Sequence, residues 1–421
     1  MWKIAYNALL FVALPFFLLL ALVNKKMRAN LGERLLPTPL DRGHAPLFWI
    51  HAASVGEALI AEALIPPLRR ADPNRSFLVT TNTFYTRDLL RGRLQGVQVR
   101  SLPFDLPWSL HRFLGNVRPS CLVIVETEIW PNLIWTAHRR GIPVFIVNGR
   151  LSDRTVASYR RFSFFFRGIL ECVTLIIAQS EEHGRRFLSL GLNQKLVVST
   201  GNIKYVREVD GISDVTYDDA SITFGSIRDN EIDIVVPVIQ RLLRAFPDLT
   251  LFVAPRQLNL VERLNKDLSA FAPVTRYSFL KKSSGGKPAT GLVLVDTVGD
   301  LTGLYGRSTV AFVGGSLAPF GGHNILEPLF FGTPVLFGPY TENFHDIAQE
   351  ITAAGAGMRV SSGGELFDAL ERLLTDRAVR RSMGSKGLEL ILKQQEAMEK
   401  TVAHIERSVR VPETAPNRGG R

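Results

Sequence analysis

FVGGSLAPFGGHNILEPLFFGTPVLFGPY, residues 312–340, alternates short apolar runs with glycine and proline punctuation. The run Val310–Val313 at its start reads as a buried strand, and Val335–Phe337 reads as the next one. Between them, Gly314, Gly315, Gly321 and Gly322 mark a loop that a ligand can approach closely, because a residue without Cβ leaves its backbone open. The segment from His323 and Asn324 to Gly332 is expected to be a helix, stopped by Gly332 and by Pro334 beyond it. Free N–H groups at such a helix start form an anion site. Glu327, one turn inside, would reach a ribose hydroxyl pair. This strand–loop–helix–strand unit places the chain in the α/β class and suits a nucleotide carrying a phosphate. An ordinary βαβ unit, in which Glu327 only complements the helix dipole, is equally open from these residues alone.

Working outward, 421 residues predict two domains, and 46% hydrophobic residues supply two cores. The formal charge of +11 points to acidic partners such as anionic lipid or phosphorylated small molecules. Nucleic acid is disfavoured, because no zinc-type Cys/His cluster or aromatic–basic motif accompanies the charge. Cys121 and Cys172 each lie in or beside an apolar run, which reads as core in a reducing compartment rather than a disulfide framework.

The first 34 residues read as a membrane anchor with a basic segment behind it. Residues 4–23 hold about the 20 apolar positions a bilayer span needs, with Trp2 and Tyr6 expected at one interface. Lys25, Lys26, Arg28 and Arg34 outnumber Lys3, which places the following chain on the cytoplasmic side. A helix that only dips into one leaflet is the alternative.

Beyond the anchor, apolar strands alternate with amphipathic helices. Strands are predicted over 47–52, 77–81, 97–102, 122–126, 144–148, 175–179 and 196–200, with a helix over 58–70. This pattern predicts a doubly wound parallel sheet over 35–205. Residues 206–220 lose hydrophobic content and read as a linker. A second doubly wound domain is predicted over 221–390, then a C-terminal helix over 391–410 and a disordered tail over 411–421. Two such domains facing a cleft would bind a ligand at the carboxyl ends of their strands.

Chemistry-bearing residues gather at those strand ends. Ser54-Val55-Gly56-Glu57 is both a capping box and a way to present Glu57 as a general base. Glu126 and Glu128, two apart on an expected extended segment, would point the same way before a helix begun by Pro131. Arg150, Arg154, Arg160 and Arg161 form a basic cluster with Tyr159 that suits phosphate groups on an acceptor, or a solvated face. Lys204 follows the last strand of the first domain. Arg228, Arg256 with Gln257, and Asp296 to Leu301 occupy matching strand ends in the second. No G-x-G-x-x-G follows a strand, and His51, His323 and His345 lack metal-ligand spacing, so neither a dinucleotide nor a structural metal is expected.

Taken together, SVGE at 54–57, ETEIWPN at 126–132, NGRLSDR at 148–154, GNIK at 201–204, APR at 254–256, GGSLAPFGGHNILEP at 314–328 and GPYTENFHDI at 338–347 resemble the Kdo transferases of lipopolysaccharide synthesis. The likeness covers essentially the whole chain, with the motifs in family order. It implies a GT-B glycosyltransferase on the cytoplasmic face of the inner membrane, without a cofactor, that moves Kdo from CMP-Kdo to the lipid A precursor lipid IVA. It further implies Glu57 as proton acceptor, and Glu126 and Lys204 as transition-state stabilisers. By the same resemblance CMP would be held near Arg256 and Gln257, near Asp300, Leu301 and Thr302, and along Gly322, His323, Asn324, Leu326, Glu327, Pro328 and Leu329. Arg150, Arg154 and Arg160 are expected to meet the acceptor. Phe84-Tyr85, Val206 and Pro319-Phe320 depart from the commonest family pattern. A UDP-sugar enzyme of the same architecture and a non-catalytic basic membrane scaffold are the alternatives that the residues themselves leave open.

Overall fold

The computed structural model describes residues 2–23, 31–40, 46–204, 206, 220–282 and 291–410. Lys25, Lys26 and Arg28, most of the expected linker, and the expected tail lie outside the described residues. The chain divides into two compact units, Met1–Glu208 with Lys393–Arg421, and Val209–Leu392.

The first unit is built on seven strands: β1 (Leu47–His51), β2 (Ser76–Thr81), β3 (Gln98–Ser101), β4 (Cys121–Val125), β5 (Val144–Gly149), β6 (Leu175–Ala178) and β7 (Val197–Ser199). All pairings are parallel, in the order β3-β2-β1-β4-β5-β6-β7. The strands read as continuous apolar runs because both faces are covered. In β1, Trp49 enters one core, while Phe48 and Ile50 enter the other. In β4, Leu122 and Ile124 oppose Cys121, Val123 and Val125 in the same way. This period of two is what an extended backbone imposes. The second unit repeats the plan with β8 (Ser221–Ile227), β9 (Thr250–Pro255), β10 (Val274–Arg276), β11 (Gly291–Leu294), β12 (Val310–Val313), β13 (Val335–Phe337) and β14 (Gly357–Arg359). Their order is β10-β11-β9-β8-β12-β13-β14, again all parallel. Phe224, Leu251, Leu294 and Phe312 fill one face, and Phe252, Ala254 and Val293 fill the other.

Two expectations need correction. The helix expected from His323 to Gly332 is a turn followed by a four-residue 3-10 segment, Pro328–Phe331. Pro328 has no N–H to complete an α-helical turn, and Gly332, at φ +67°, ends the segment four residues later. The anion site imagined at its start therefore has no helix behind it. The last helix runs as one piece from Arg377 to Arg410 rather than starting near 391. Trp2 and Tyr6, at the start of the apolar helix, pack on the first unit. The Trp2 ring lies 4.2 Å from that of Phe164, and Tyr6 lies 6.0 Å from Trp135 and donates to Asp105 Oδ2 at 2.9 Å. Amphipathic rings at the helix start find both an aromatic face and an acceptor there. The rest of helix Trp2–Val23 exposes Leu9, Phe11, Val12, Phe16, Leu19 and Leu20, and the helix is long and apolar enough to cross a bilayer.

Candidate active site

In each sheet the earlier strands lie to one side and the later ones to the other, meeting between β1 and β4 in the first unit and between β8 and β12 in the second. Open parallel sheets bind ligands outside the carboxyl ends of the strands at such a switch point. The three non-glycine residues with positive φ among those described, Glu126, Asn148 and Ser226, lie at or next to the carboxyl ends of β4, β5 and β8. Strain of this kind collects where structure serves a site.

In the first unit, Ser54 caps helix Val55–Ala71 by accepting the Glu57 N–H at 3.3 Å. The Glu57 carboxylate turns back, taking Ala53 N–H at 2.7 Å and Ser54 Oγ–H at 2.8 Å. The cap foreseen in the sequence is thus real, and it leaves Glu57 only 7% exposed. Burial pushes its carboxyl up to about 7; the two hydrogen bonds pull it down, and the charges of Glu128 and Glu126 push it up again. Glu126 and Glu128 do not sit on an extended segment. Glu126, at φ +58°, begins a turn and pairs with Arg150 Nε at 3.0 Å, while Glu128 accepts Trp130 Nε1–H at 3.1 Å. Burial raises the Glu128 carboxyl as well, against the Trp130 hydrogen bond and with the help of Glu126. Three carboxyl groups therefore flank one switch point.

Lys204 reaches the same place, with its Cε 3.8 Å from where a Cβ on Gly56 would lie. Its approach is set by Asn148, whose Oδ1 accepts Ile203 N–H at 3.0 Å, and by Gly201, at φ +116°, where a Cβ would lie 2.7 Å from Ala397. Arg150 is held by Glu126 and by a hydrogen-bonded turn with Thr127. Arg154 and Arg160 are exposed on helix Asp153–Arg161, about 120° apart around its axis, and so share no face.

In the second unit, Arg256 and Gln257 follow β9 and are exposed. Thr302 Oγ1 donates to Glu327 Oε2 at 3.3 Å, and Asn324 Nδ2 donates to Glu327 Oε1 at 3.1 Å, so these three form one polar cluster. Asp300 accepts from Thr297 at 2.6 Å and pairs with Lys281 at 2.8 Å. Leu301 packs against the small core under β9 and β11. The side chains of Leu326, Pro328 and Leu329 are buried, which leaves only their backbone to offer a ligand. Gly322, at φ +78°, is bonded through its N–H to Gly315 O at 2.7 Å. Burial, with Arg228 and Arg256 nearby, pushes the His323 imidazole down to about 4.

The roles of two residues escaped the sequence reading. Glu231 is fully buried, and its carboxylate accepts four backbone N–H groups, those of Arg228, Gly315, Ser316 and Leu317. The signal was its place three residues after Arg228 at a helix start, the same spacing as Ser54 and Glu57. Phe320 was read as loop, yet it carries the Arg228 guanidinium 3.3 Å above its ring centroid.

Two parallel, doubly wound sheets, each with polar groups gathered at its switch point, define the GT-B class, to which nucleotide-sugar glycosyltransferases belong. The chain is a member of the Kdo transferase family. Residues 29–207 match the family model described as 3-deoxy-D-manno-octulosonic-acid transferase (kdotransferase). Across 97% of its length the chain is 32% identical to the whole of the 3-deoxy-D-manno-octulosonic acid transferase of Haemophilus influenzae. Among solved structures, MurG of Acinetobacter baumannii shares the fold, with a TM-score of 0.52 and 15% identity over 86% of this chain and 99% of that one. So does the UDP-GlcNAc 2-epimerase of Neisseria meningitidis, with a TM-score of 0.54 and 14% identity over 86% of this chain and 100% of that one.

Proposed function

We propose that the protein transfers Kdo from CMP-Kdo to a hydroxyl of lipid IVA, in a single inverting displacement, during assembly of the lipopolysaccharide inner core. Family membership supports the transferred sugar. The observation that carries the mechanism is Glu57, a carboxyl raised to about 7 at a switch point shared with Glu126, Glu128 and Lys204. A general base works best with a pKa near the working pH. Glu57 takes the proton of the acceptor hydroxyl as its oxygen bonds to the anomeric carbon of Kdo. The bond from that carbon to the phosphate oxygen breaks, and its electron pair leaves with CMP.

Negative charge grows on the departing phosphate, and cationic side chains at the strand ends of the second unit favour it, with Arg256 near the phosphate and Glu327 on the ribose. The second unit holds the donor and the first unit the acceptor, with Lys204 and Glu126 supporting the transition state. Asn324 and Thr302 orient Glu327 from either side. The apolar helix Trp2–Val23 keeps the protein at the inner membrane, with both units on the cytoplasmic side where the acceptor's headgroup lies.

Purified full chain, CMP-Kdo and lipid IVA, with products resolved by mass, test the proposal. Addition of one or more Kdo units supports it. Turnover with a UDP-sugar and none with CMP-Kdo refutes it.

A further inference from the structure

We infer that Arg228, stacked on Phe320 and fixed by His323, binds an oxyanion of the donor at the switch point of the second sheet. The inference rests on reading this unit as the donor site.

Arg228 follows β8 directly, on one side of the turning point, and the glycine loop follows β12 on the other. Three restraints hold it. Its backbone N–H donates to Glu231 Oε2 at 3.1 Å, its Nε–H donates to His323 Nε2 at 3.2 Å, and its guanidinium lies over the Phe320 ring. Arginine has no acceptor, so Nε2 must accept, which puts the proton of the neutral imidazole on Nδ1. The ring has this seat only because Gly315 lacks a side chain; a Cβ there would lie 2.7 Å from His323 Cδ2. Phe320 itself is 44% exposed, so the stack sits at the surface.

The guanidinium is thus pre-organised, yet its four Nη–H donors have no hydrogen-bond partner among the described residues. Nor does it have a carboxylate at ion-pair distance among the described residues. Glu231, the acid nearest in effect, is committed to backbone N–H groups. Asp229, its neighbour in sequence, is held at 2.5 Å by Arg263, which also takes Asp233 at 2.8 Å. Burial disfavours its charge, and a second cation nearby, Arg256, adds to that. A half-buried cation beside a like charge is relieved by an incoming anion, and the planar guanidinium fork matches two oxygens of a phosphate or a carboxylate. A CMP-linked acidic sugar carries both.

The test is calorimetric titration of the full chain with cytidine, CMP and CMP-Kdo, comparing wild type with Arg228→Gln. A loss of about tenfold or more for CMP and CMP-Kdo together, with cytidine unchanged, assigns Arg228 to the phosphate. A loss confined to CMP-Kdo assigns it to the sugar carboxylate. Either supports the inference. Unchanged affinity for both overturns it and leaves the donor-site reading standing. Should wild type bind no cytidine compound, the donor reading fails and pyrophosphate becomes the probe. Binding weakened by Arg228→Gln then keeps the oxyanion site, and binding that is absent or unaffected removes it. If Arg228→Gln does not fold by circular dichroism, Phe320→Leu decides. It keeps the charge and removes the stacking surface, so oxyanion affinity should fall by about threefold, and no fall overturns the inference.

Discussion

Glu231 Oε2 accepts the backbone N–H of Gly315 at 2.6 Å, which ties the turn after β8 to the glycine loop after β12. The same carboxylate takes the next two N–H groups, Ser316 at 2.8 Å and Leu317 at 2.7 Å. Successive N–H groups of this kind form a concavity for an anion. Here the protein fills it with its own side chain, so these three donors are not available to a phosphate. In the proposed donor site the binding charge is therefore assigned to the arginines at the neighbouring strand ends.

Glu231→Ala should therefore destabilise the second unit strongly. It strands four buried N–H groups, for an expected loss on the order of 3–5 kcal/mol. Glu231→Gln keeps an acceptor oxygen but turns an amide NH2 toward N–H donors, so its loss should be smaller. Thermal unfolding of the two variants beside wild type checks this, and equal melting temperatures for all three would refute it.

Glu57 makes a prediction with a definite sign. Its folded pKa, near 7, lies above the ordinary value of 4.5, so the folded state prefers the protonated acid. The linked stabilisation is present in full below about pH 4.5 and is lost as pH rises through 7, by up to roughly 3 kcal/mol. Glu57→Gln, which cannot ionise, should flatten this dependence and gain stability relative to wild type at pH 8 compared with pH 5. The same variant should lose on the order of a hundred- to ten-thousand-fold in kcat, and wild-type kcat should rise with pH through a midpoint near 7. Near-normal turnover by a folded Glu57→Gln protein would remove Glu57 as the base.

His323 should stay neutral throughout the physiological range. Its pKa is lowered from 6.5 to about 4, so protonation opposes folding, and the stability present above pH 6.5 declines as pH falls toward 4. The imidazole carbon-bound proton resonances, assigned with a His323→Gln variant, should titrate with a midpoint close to 4. A midpoint near 6.5 would mean that the ring is neither buried nor beside two arginines.

Gly201→Ala should impair the first unit twice over. At φ +116° a side chain is strained, and its Cβ would lie 2.7 Å from that of Ala397 on the last helix. The expected cost is about 2 kcal/mol or more. Because Gly201 begins the turn that delivers Lys204, kcat should fall further than a matched loss of stability elsewhere in the unit would cause. Gly96→Ala, also at positive φ but with open space around it, is the control.

Much of this protein is determined by the order of its residues alone. Continuous apolar runs for buried strands, 3.6-residue spacing for helices, and glycine or proline at their ends are local signals, because backbone geometry acts over a few neighbours. They mark Val310–Val313 and Val335–Phe337 at their observed limits, and they place Ser54 and Glu57 at a capped helix start. Tertiary structure decided what those residues meet. Sequence spacing says nothing of which strand lies beside which, so only the pairing of β1 with β4 brings Glu126 and Glu128 to bear on Glu57. Only the pairing of β8 with β12 lets Glu231 occupy the glycine loop and sets Arg228 against His323. The physical reason is that a parallel sheet joins segments distant in the chain, and charge, burial and backbone donors act through space across that junction.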